Sequence, residues 1–412
     1  MNSNAEVIAT LDLGTTKVVV LVAEVGPEGL TVLGVGTAEC EGLRKGMVVS
    51  IGKTVEAIRR AKHDAEMMSG CAIKEVIAGV GGHHVVGLNN HGMVTTKSAE
   101  IRQVDVERVL EAASVVTMPL DRSLMNVLPA QYVVDEHDGI KDPVGMSGRR
   151  LEVEAHLITA AHTALENINK CAERSDLRVV EFVANPLASA LAVLEDQERE
   201  LGVVVLDLGG GCGDLTVWVN GRLLHTTVIG AGGAVITQDI ATGLRTPIAC
   251  AEQLKIRTGA ACARMVQDGE TIDVPGVGGR PDKKLSRFVM TEIIEPRMKE
   301  IFGLVQREIQ KTGYEDLLAA GLVLTGGAAR MPGMVELGDQ VLNLPVRVGV
   351  PRDVKGLQSV MGDPALSTAY GLAVYAALSS RSDIPAPMLP VRRSRKRSRI
   401  AEWIARAAGF FF

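Results

Sequence analysis

Apolar residues come in short blocks over the first 37 positions, among them Val7–Leu11 and Val18–Val22, which predicts strands joined by tight turns. The period then lengthens. Spacing of three and four predicts a helix over about 54–69, stopped by Gly70, and a strand follows around Val76. From Gly82 to Thr163 the rhythm breaks, with a helix near 104–116 and strands near Val127 and Val153. Helical spacing resumes over 164–174 and after Pro186. Further helices are predicted at 236–241, 247–257 and 285–310, the last kinked at Pro296. Leu322-Val323-Leu324 reads as a buried strand and 364–378 as a closing helix. From Ser379 to Pro390 there is no period, and residues 379–391 read as a linker.

One tetrapeptide occurs twice. Leu11-Asp12-Leu13-Gly14 and Leu206-Asp207-Leu208-Gly209 each follow a β-type run and precede a small-residue turn and a second β-type run. Strand, turn and strand therefore recur once near the start of each half, an internal repeat.

The two turns also carry chemistry. In Asp12-Leu13-Gly14-Thr15-Thr16-Lys17, small side chains let backbone N–H groups approach an anion, and Lys17 adds charge. Asp207-Leu208-Gly209-Gly210-Gly211-Cys212-Gly213-Asp214 repeats the device. Asp12 and Asp207 are placed to face a hydrated Mg²⁺, which takes carboxylates, waters and phosphate oxygens. A third piece, Leu324-Thr325-Gly326-Gly327-Ala328-Ala329-Arg330, leads from a strand through two glycines to a helix at Pro332-Gly333. Its bare backbone lets a flat base lie close. Gly46 to Thr54 imitates a P-loop, but five residues separate the glycines where four are required. His83, His84 and His91 are read as ordinary loop histidines rather than a metal site.

The order of these three motifs is similar to the phosphate-1, phosphate-2 and adenosine motifs of the actin, Hsp70 and sugar-kinase superfamily. Within it the chain resembles the FtsA family of bacterial cell-division proteins. Segments 139–148, Pro186-Leu187-Ala188-Ser189, Ala251-Glu252-Gln253-Leu254-Lys255 and Ile294-Glu295-Pro296-Arg297 carry that likeness. The resemblance implies an α/β, actin-like (ribonuclease-H-like) fold of two duplicated domains around a nucleotide cleft. Residues 1–81 and 164–200 form the first domain, 82–163 an inserted FtsA-type subdomain, and 201–378 the second domain.

ATP with Mg²⁺ is the implied ligand, with Glu252 and Lys255 near the ribose and base. The expected nucleotide set is Asp12, Gly14, Thr15, Thr16, Lys17, Asp207, Gly209, Gly210, Gly211, Cys212, Gly213, Gly232, Gly233, Glu252, Lys255, Gly326, Gly327 and Ala328. The resemblance further implies binding of the C-terminal tail of the tubulin homologue FtsZ on residues 237–311, where Arg280, Lys284 and Arg287 are candidate contacts. Self-association into filaments and other division proteins as partners are implied as well. Two positions depart from the family pattern. Cys212 replaces a usual threonine, and Asn185 stands where a Glu or Gln commonly positions the attacking water. Slow hydrolysis at most is therefore expected. A small-molecule kinase and a pilus-assembly ATPase are the alternatives on this fold.

Charge and aromatics alter the picture only at the far end. Eight of the 44 basic and two of the 49 acidic residues lie from Arg381 onward, leaving 36 and 47 in the body, a net of −11. An acidic body argues against nucleic acid as a partner. The six cysteines are scattered without a C-x-x-C pair, which suits a reducing cytoplasm. Six of the eight residues from Arg392 to Arg399 are basic, including Arg395, Lys396, Arg397 and Arg399. Ile400, Trp403, Ile404, Ala407, Ala408 and Phe411 then share one helical face, with Phe410 beside it. A basic flank and a Trp/Phe face predict an amphipathic helix over 392–412 that lies on anionic lipid, at about 1 kcal/mol per basic residue. The expected location is the cytoplasmic face of the inner membrane, at the division septum.

Overall fold

The computed structural model describes residues 6–26, 29–357, 360 and 362–381. The linker beyond Arg381 and the membrane residues Arg395, Lys396, Arg397, Arg399, Ile400, Trp403, Ile404, Phe410 and Phe411 lie outside the described residues.

Two sheets repeat one topology. In the first, the strand order is Arg178–Ala184, Glu75–Val80, Glu6–Leu13, Lys17–Gly26, Gly29–Glu39, with the two-residue strand Lys355–Gly356 added at the edge. In the second it is Val346–Val348, Gly321–Thr325, Val203–Leu208, Gly213–Val219, Arg222–Ile229. Each opens with an antiparallel hairpin, adds a third antiparallel strand on one side, and adds two parallel strands on the other. The duplicated tetrapeptide ends the central strand both times, as the sequence predicts.

Burial follows from alternation. Val203, Val205, Trp218 and Leu223 join the core shared with the first sheet, whereas Val204, Leu206, Leu208, Leu215 and Val217 join the second core. Successive side chains on a strand point to opposite faces, so Val203–Leu208 is buried on both and reads as a continuous apolar run. Two helices, Asn185–Val193 and Ser367–Arg381, cross between the halves. Gly371 sits so close to the Ala188 carbonyl that no Cβ fits there.

The segment that breaks the rhythm is a separate sheet, ordered Val86–Thr95, Arg150–Ala161, Arg122–Val134, His137–Ile140, wholly antiparallel. Helix Gln103–Ser114 covers it through Val106, Val109, Leu110 and Ala113. Arg222 Nη1 donates to Gln131 Oε1 at 2.5 Å and Asn89 Nδ2 to the Leu224 carbonyl at 3.0 Å. The insertion therefore leaves the first half in sequence and rests on the third strand of the second.

Several expectations shift. The helix expected from Leu285 starts at Arg287, because Lys283–Ser286 pairs with Thr271–Val274 and the Ser286 hydroxyl caps the helix by accepting from Phe288 N at 3.3 Å. It runs unbroken to Thr312 through Pro296. Proline removes one hydrogen bond, and the buried stripe Met290, Ile294, Met298, Ile301, Phe302, Val305, Ile309 holds both sides together. After Gly326 a 3₁₀ turn, Gly327–Arg330, precedes the helix, which begins at Met334. The closing helix continues to Arg381, three residues into the stretch read as linker. No helix of the described residues is long and apolar enough to cross a membrane.

Candidate functional site: a phosphate clamp between two hairpins

Both hairpin turns line one cavity, together with the Gly326–Gly327 turn. Its walls include Asp12, Gly14, Thr15, Thr16, Lys17, Asn185, Asp207, Gly209, Gly210, Gly211, Cys212, Gly326 and Gly327, all expected from sequence. The turns touch closely. A Cβ on Gly210 would lie 2.5 Å from Thr16 Cγ2, so a larger residue there must turn the Thr16 side chain or push the turns apart. Gly326 has φ +85°, and a Cβ there would lie 2.7 Å from the Leu208 carbonyl.

Each turn closes on itself through one hydrogen bond, Gly14 N to Lys17 O and Gly209 N to Cys212 O, both 2.9 Å. The N–H groups of Thr15, Thr16, Gly210 and Gly211 have no acceptor among the described residues. Four unengaged donors in two facing turns form an anion cradle.

Of the acids of this cavity, Asp12 and Asp207 are buried and Asp214 is half-buried with one oxygen covered. Burial pushes Asp12 up to about 7, with Lys17 pulling it down and Asp207 pushing it further up. Burial also raises Asp207, against hydrogen bonds from Thr368 (Oγ1 to Oδ2, 2.8 Å) and Ser189 and the charge of Lys17. Asp214, a third carboxyl, is held well above the usual range by burial and by Asp207 and Asp12. Its Oδ1 is buried with no hydrogen-bond partner among the described residues. Together with Asp12 and Asp207, Asp214 gives the cavity three carboxyl groups. Among the described residues no three acidic, His or Cys side chains converge tightly enough to ligate a metal directly. The arrangement suits a Mg²⁺ held through water and phosphate oxygens.

Lys17 lines the cavity, whereas Gly213, Gly232, Gly233, Glu252, Lys255 and Ala328 stand apart from its wall. Lys17 Nζ donates to the Ala365 carbonyl at 2.5 Å, so its charge is engaged beside Asp12. Lys255 Nζ donates to Gly233 O (3.0 Å), Thr237 Oγ1 (2.8 Å) and Glu252 Oε2 (2.7 Å), tying the Glu252–Lys255 pair to the loop at Gly232–Gly233. That loop backs the second turn through Gly233 N to Gly209 O at 2.9 Å. Gly213 belongs to the strand after the turn, and Ala328 to the 3₁₀ turn after Gly327.

Arg280 is exposed in the loop of a hairpin, and Lys284 is exposed on its second strand, opposite Asp273. Arg287 is engaged internally: it donates to Glu270 Oε2 at 2.5 Å and to the Thr258 carbonyl at 2.7 Å. That makes it a brace of the subdomain. His91 Nε2 meets Glu152 Oε2 at 2.7 Å, and His84 is buried apart from it.

Sequence reasoning did not assign Gly46, Gly81, Gly82, Asp214, Ala365 or Thr368 to the site, yet all line it. A signal existed for two of them. Strand Glu75–Val80 runs into Gly81-Gly82 as its topological equivalent Gly321–Thr325 runs into Gly326-Gly327.

The family described as cell division protein FtsA matches residues 204–371, and the SHS2 domain inserted in FtsA matches residues 82–159. A cell division protein FtsA of Pseudomonas aeruginosa is 46% identical over 381 residues, covering 92% of this chain and 91% of the relative. The FtsA of Escherichia coli K12 is 40% identical, covering 90% and 91%. The chain belongs to the FtsA family.

Solved structures agree on the fold alone. The PilM-PilN type IV pilus biogenesis complex superposes with TM-score 0.64 at 16% identity, covering 90% of this chain and 98% of that one. MreB5 of Spiroplasma citri bound to ADP superposes with TM-score 0.54 at 14% identity, covering 90% and 96%. As an FtsA-family member the chain is an actin-like cell-division protein, and the SHS2 match explains why residues 82–159 form a sheet of their own.

Proposed function

We propose that this chain is an ATP- and Mg²⁺-binding, self-associating adaptor that tethers the FtsZ ring to the inner face of the cytoplasmic membrane. The observation that carries the nucleotide reading is the pair of facing turns with four unengaged N–H donors beside three carboxyls, two of them buried. Thr15, Thr16, Gly210 and Gly211 would hold phosphate oxygens, and Asp12 and Asp207 would hold the Mg²⁺ through water. The Gly326–Gly327 turn and the Glu252–Lys255 pair would flank the nucleoside. The ADP bound to MreB5, a protein of the same fold, supports this assignment.

Asn185 lines the cavity with Oδ1 buried and unpartnered among the described residues. An amide is no general base, so the reading includes tight binding with slow turnover. Exposed Arg280 and Lys284 would meet an acidic FtsZ tail, and other division proteins would dock on the tethered polymer.

The tether reading rests on the basic and aromatic residues of 392–412. A single weak anchor gains from self-association, since linked sites raise effective concentration. The test is sedimentation with anionic vesicles, with and without ATP, of the full chain and of a chain lacking 392–412. Co-sedimentation that needs 392–412 and is strengthened by ATP supports the proposal. Equal sedimentation of both chains removes the tether, and absence of ATP binding removes the clamp.

A further inference from the structure

Phosphate binding needs positive charge, yet the cations expected at this cavity are engaged. Lys17 is tied to Ala365, Lys255 to Glu252, Thr237 and Gly233, and Arg330 to Asp363. A free cation beside the two turns would therefore add an attraction for a triphosphate that these engaged groups do not supply.

A two-stranded hairpin, Leu43–Arg44 with Met47–Val48, stands at one end of the cleft. Its base is tied to the first turn by Cys40 N donating to Thr16 O at 3.0 Å, and its tip by Gly46 N donating to Thr15 Oγ1 at 3.2 Å. The tip seats tightly. A Cβ on Gly46 would lie 2.6 Å from Gly82 Cα, and one on Gly82 would lie 2.9 Å from the Lys45 carbonyl. Lys45 itself adopts φ +50°, a left-handed conformation costly for a lysine, which the turn imposes.

Its side chain is exposed and makes no ion pair or hydrogen bond among the described residues. Its charge nevertheless reaches the opposite turn. Burial and Asp214 push the Cys212 thiol up to about 12, and Lys45 acts against them. The close neighbours of Gly46 are Gly81 and Gly82, and none belongs to the Gly326–Gly327 turn or to the Glu252–Lys255 pair. The hairpin therefore marks the phosphate end of the cleft, away from the nucleoside.

We propose that Lys45 is the residue by which this cleft tells a nucleoside triphosphate from a diphosphate, its ammonium pairing with the terminal phosphate. This rests on the nucleotide reading above and adds the selectivity to it. The hairpin tip, anchored on Thr15 and Gly82, places a free cation where only the third phosphate extends. A lysine suits this role as a compact point charge on a flexible stem. With the terminal phosphate gone, the ammonium returns to solvent, and the hairpin loses its electrostatic tie to the second half.

The test is equilibrium binding of a non-hydrolysable ATP analogue and of ADP, at fixed Mg²⁺, to the full chain and to Lys45→Gln and Lys45→Arg. The expected result is a tenfold or greater loss of triphosphate affinity in Lys45→Gln, diphosphate affinity within about twofold, and recovery in Lys45→Arg. Gly46→Ala, which lifts the tip off Gly82, should reproduce the selective loss. An equal loss for both nucleotides, or no loss, overturns the role of Lys45 while leaving the cleft a nucleotide site. A wild-type chain that binds neither nucleotide overturns the site itself, and the selectivity falls with it.

Discussion

Asp12 faces Val19 across the first hairpin, whereas Asp207 faces Asp214 across the second. The turns share four residues and one geometry, but the first brings one acid and Lys17 to the cleft and the second brings two acids. Duplication thus supplies a symmetric pair of backbone cradles, and divergence at single positions sets their charge. The difference puts two of the three carboxyls of the cavity on the second half, and one carboxyl with Lys17 on the first.

The sharpest way to break the pair is to fill the space between its turns. Gly210→Asp puts a Cβ against Thr16 and adds a fourth carboxyl. Nucleotide affinity should fall roughly 100-fold or more, about 2.7 kcal/mol, read by equilibrium fluorescence. Gly14→Ala instead strains only its own turn, where the Cβ would lie 2.7 Å from Lys17 O. It should cost less. Comparable affinity for Gly210→Asp and wild type would mean the turns do not close on phosphate.

Asp214→Asn makes the second hairpin more like the first. A carboxyl with a raised pKa keeps its proton in the folded state while the unfolded chain loses one, so stability falls as pH rises above the ordinary carboxylate range. Removing that group should stabilise the ligand-free protein by about 1–3 kcal/mol, an increase of a few degrees in melting temperature that grows from pH 5 to pH 8. The same variant should need more Mg²⁺ to be stabilised by ATP. A melting temperature unchanged at both pH values would show Asp214 to be hydrated.

The helices crossing between the halves give a third contrast. In the second half Thr368 donates to Asp207 at 2.8 Å, whereas in the first Asn185 Oδ1 has no partner among the described residues. Asn185 also packs tightly, since a Cβ on Gly81 would lie 2.8 Å from its Nδ2. Asn185→Glu adds length and a base, and ATP turnover should rise about tenfold, since misplacing a reacting water by ~1 Å costs on the order of 100-fold. Brisk wild-type phosphate release that Asn185→Ala leaves unaltered would assign the water to another residue.

What the sequence made legible follows the same division. The repeated Asp-Leu-Gly turns and the Gly326–Gly327 turn are local patterns, and the fold keeps them where the pattern places them. Gly46 reaches the cleft only because the hairpin at 43–48 folds onto the start of the insertion, a contact with no local period, whereas Gly81 and Gly82 follow the strand beside the first hairpin as Gly326 and Gly327 follow theirs. Asp214 was visible in the motif, but its part depends on pairing with Asp207 in hairpin register. Arg287 shows the converse. Its sequence neighbourhood is basic, yet Glu270, 17 residues earlier in the chain, pairs with it. The docking of the insertion on the second half was not legible at all, since residues 89, 131 and 156 meet 222–226 only through tertiary structure.

That docking sets the last contrast. The third strand of the first sheet, Gly29–Glu39, is extended by Lys355–Gly356, whereas its counterpart Arg222–Ile229 is covered by the inserted sheet. His156 sits in this seam, buried, with Nδ1 2.6 Å from Asn89 Oδ1 and Nε2 2.9 Å from Thr226 Oγ1. Asn89 Nδ2 donates to the Leu224 carbonyl, which turns Oδ1 towards the ring and fixes the proton on Nδ1. Nε2 then accepts from the Thr226 hydroxyl.

Burial, with His225 adding to it, depresses the His156 pKa from 6.5 to about 3. The unfolded chain therefore takes up a proton as pH falls below 6.5 while the folded chain does not, and stability is lost progressively from pH 6.5 towards pH 3. By pH 5.5 the loss should be about 1 kcal/mol, concentrated at the seam. Hydrogen exchange of strand Arg222–Ile229 should quicken, relative to the intrinsic rate, before that of strand Gly29–Glu39. His156→Gln keeps a neutral donor and acceptor in the seam and should flatten this dependence. Equal acid sensitivity of the two strands, or an unaltered profile in His156→Gln, would show that the insertion is held by Arg222–Gln131 and Asn89–Leu224 without a neutral imidazole between them.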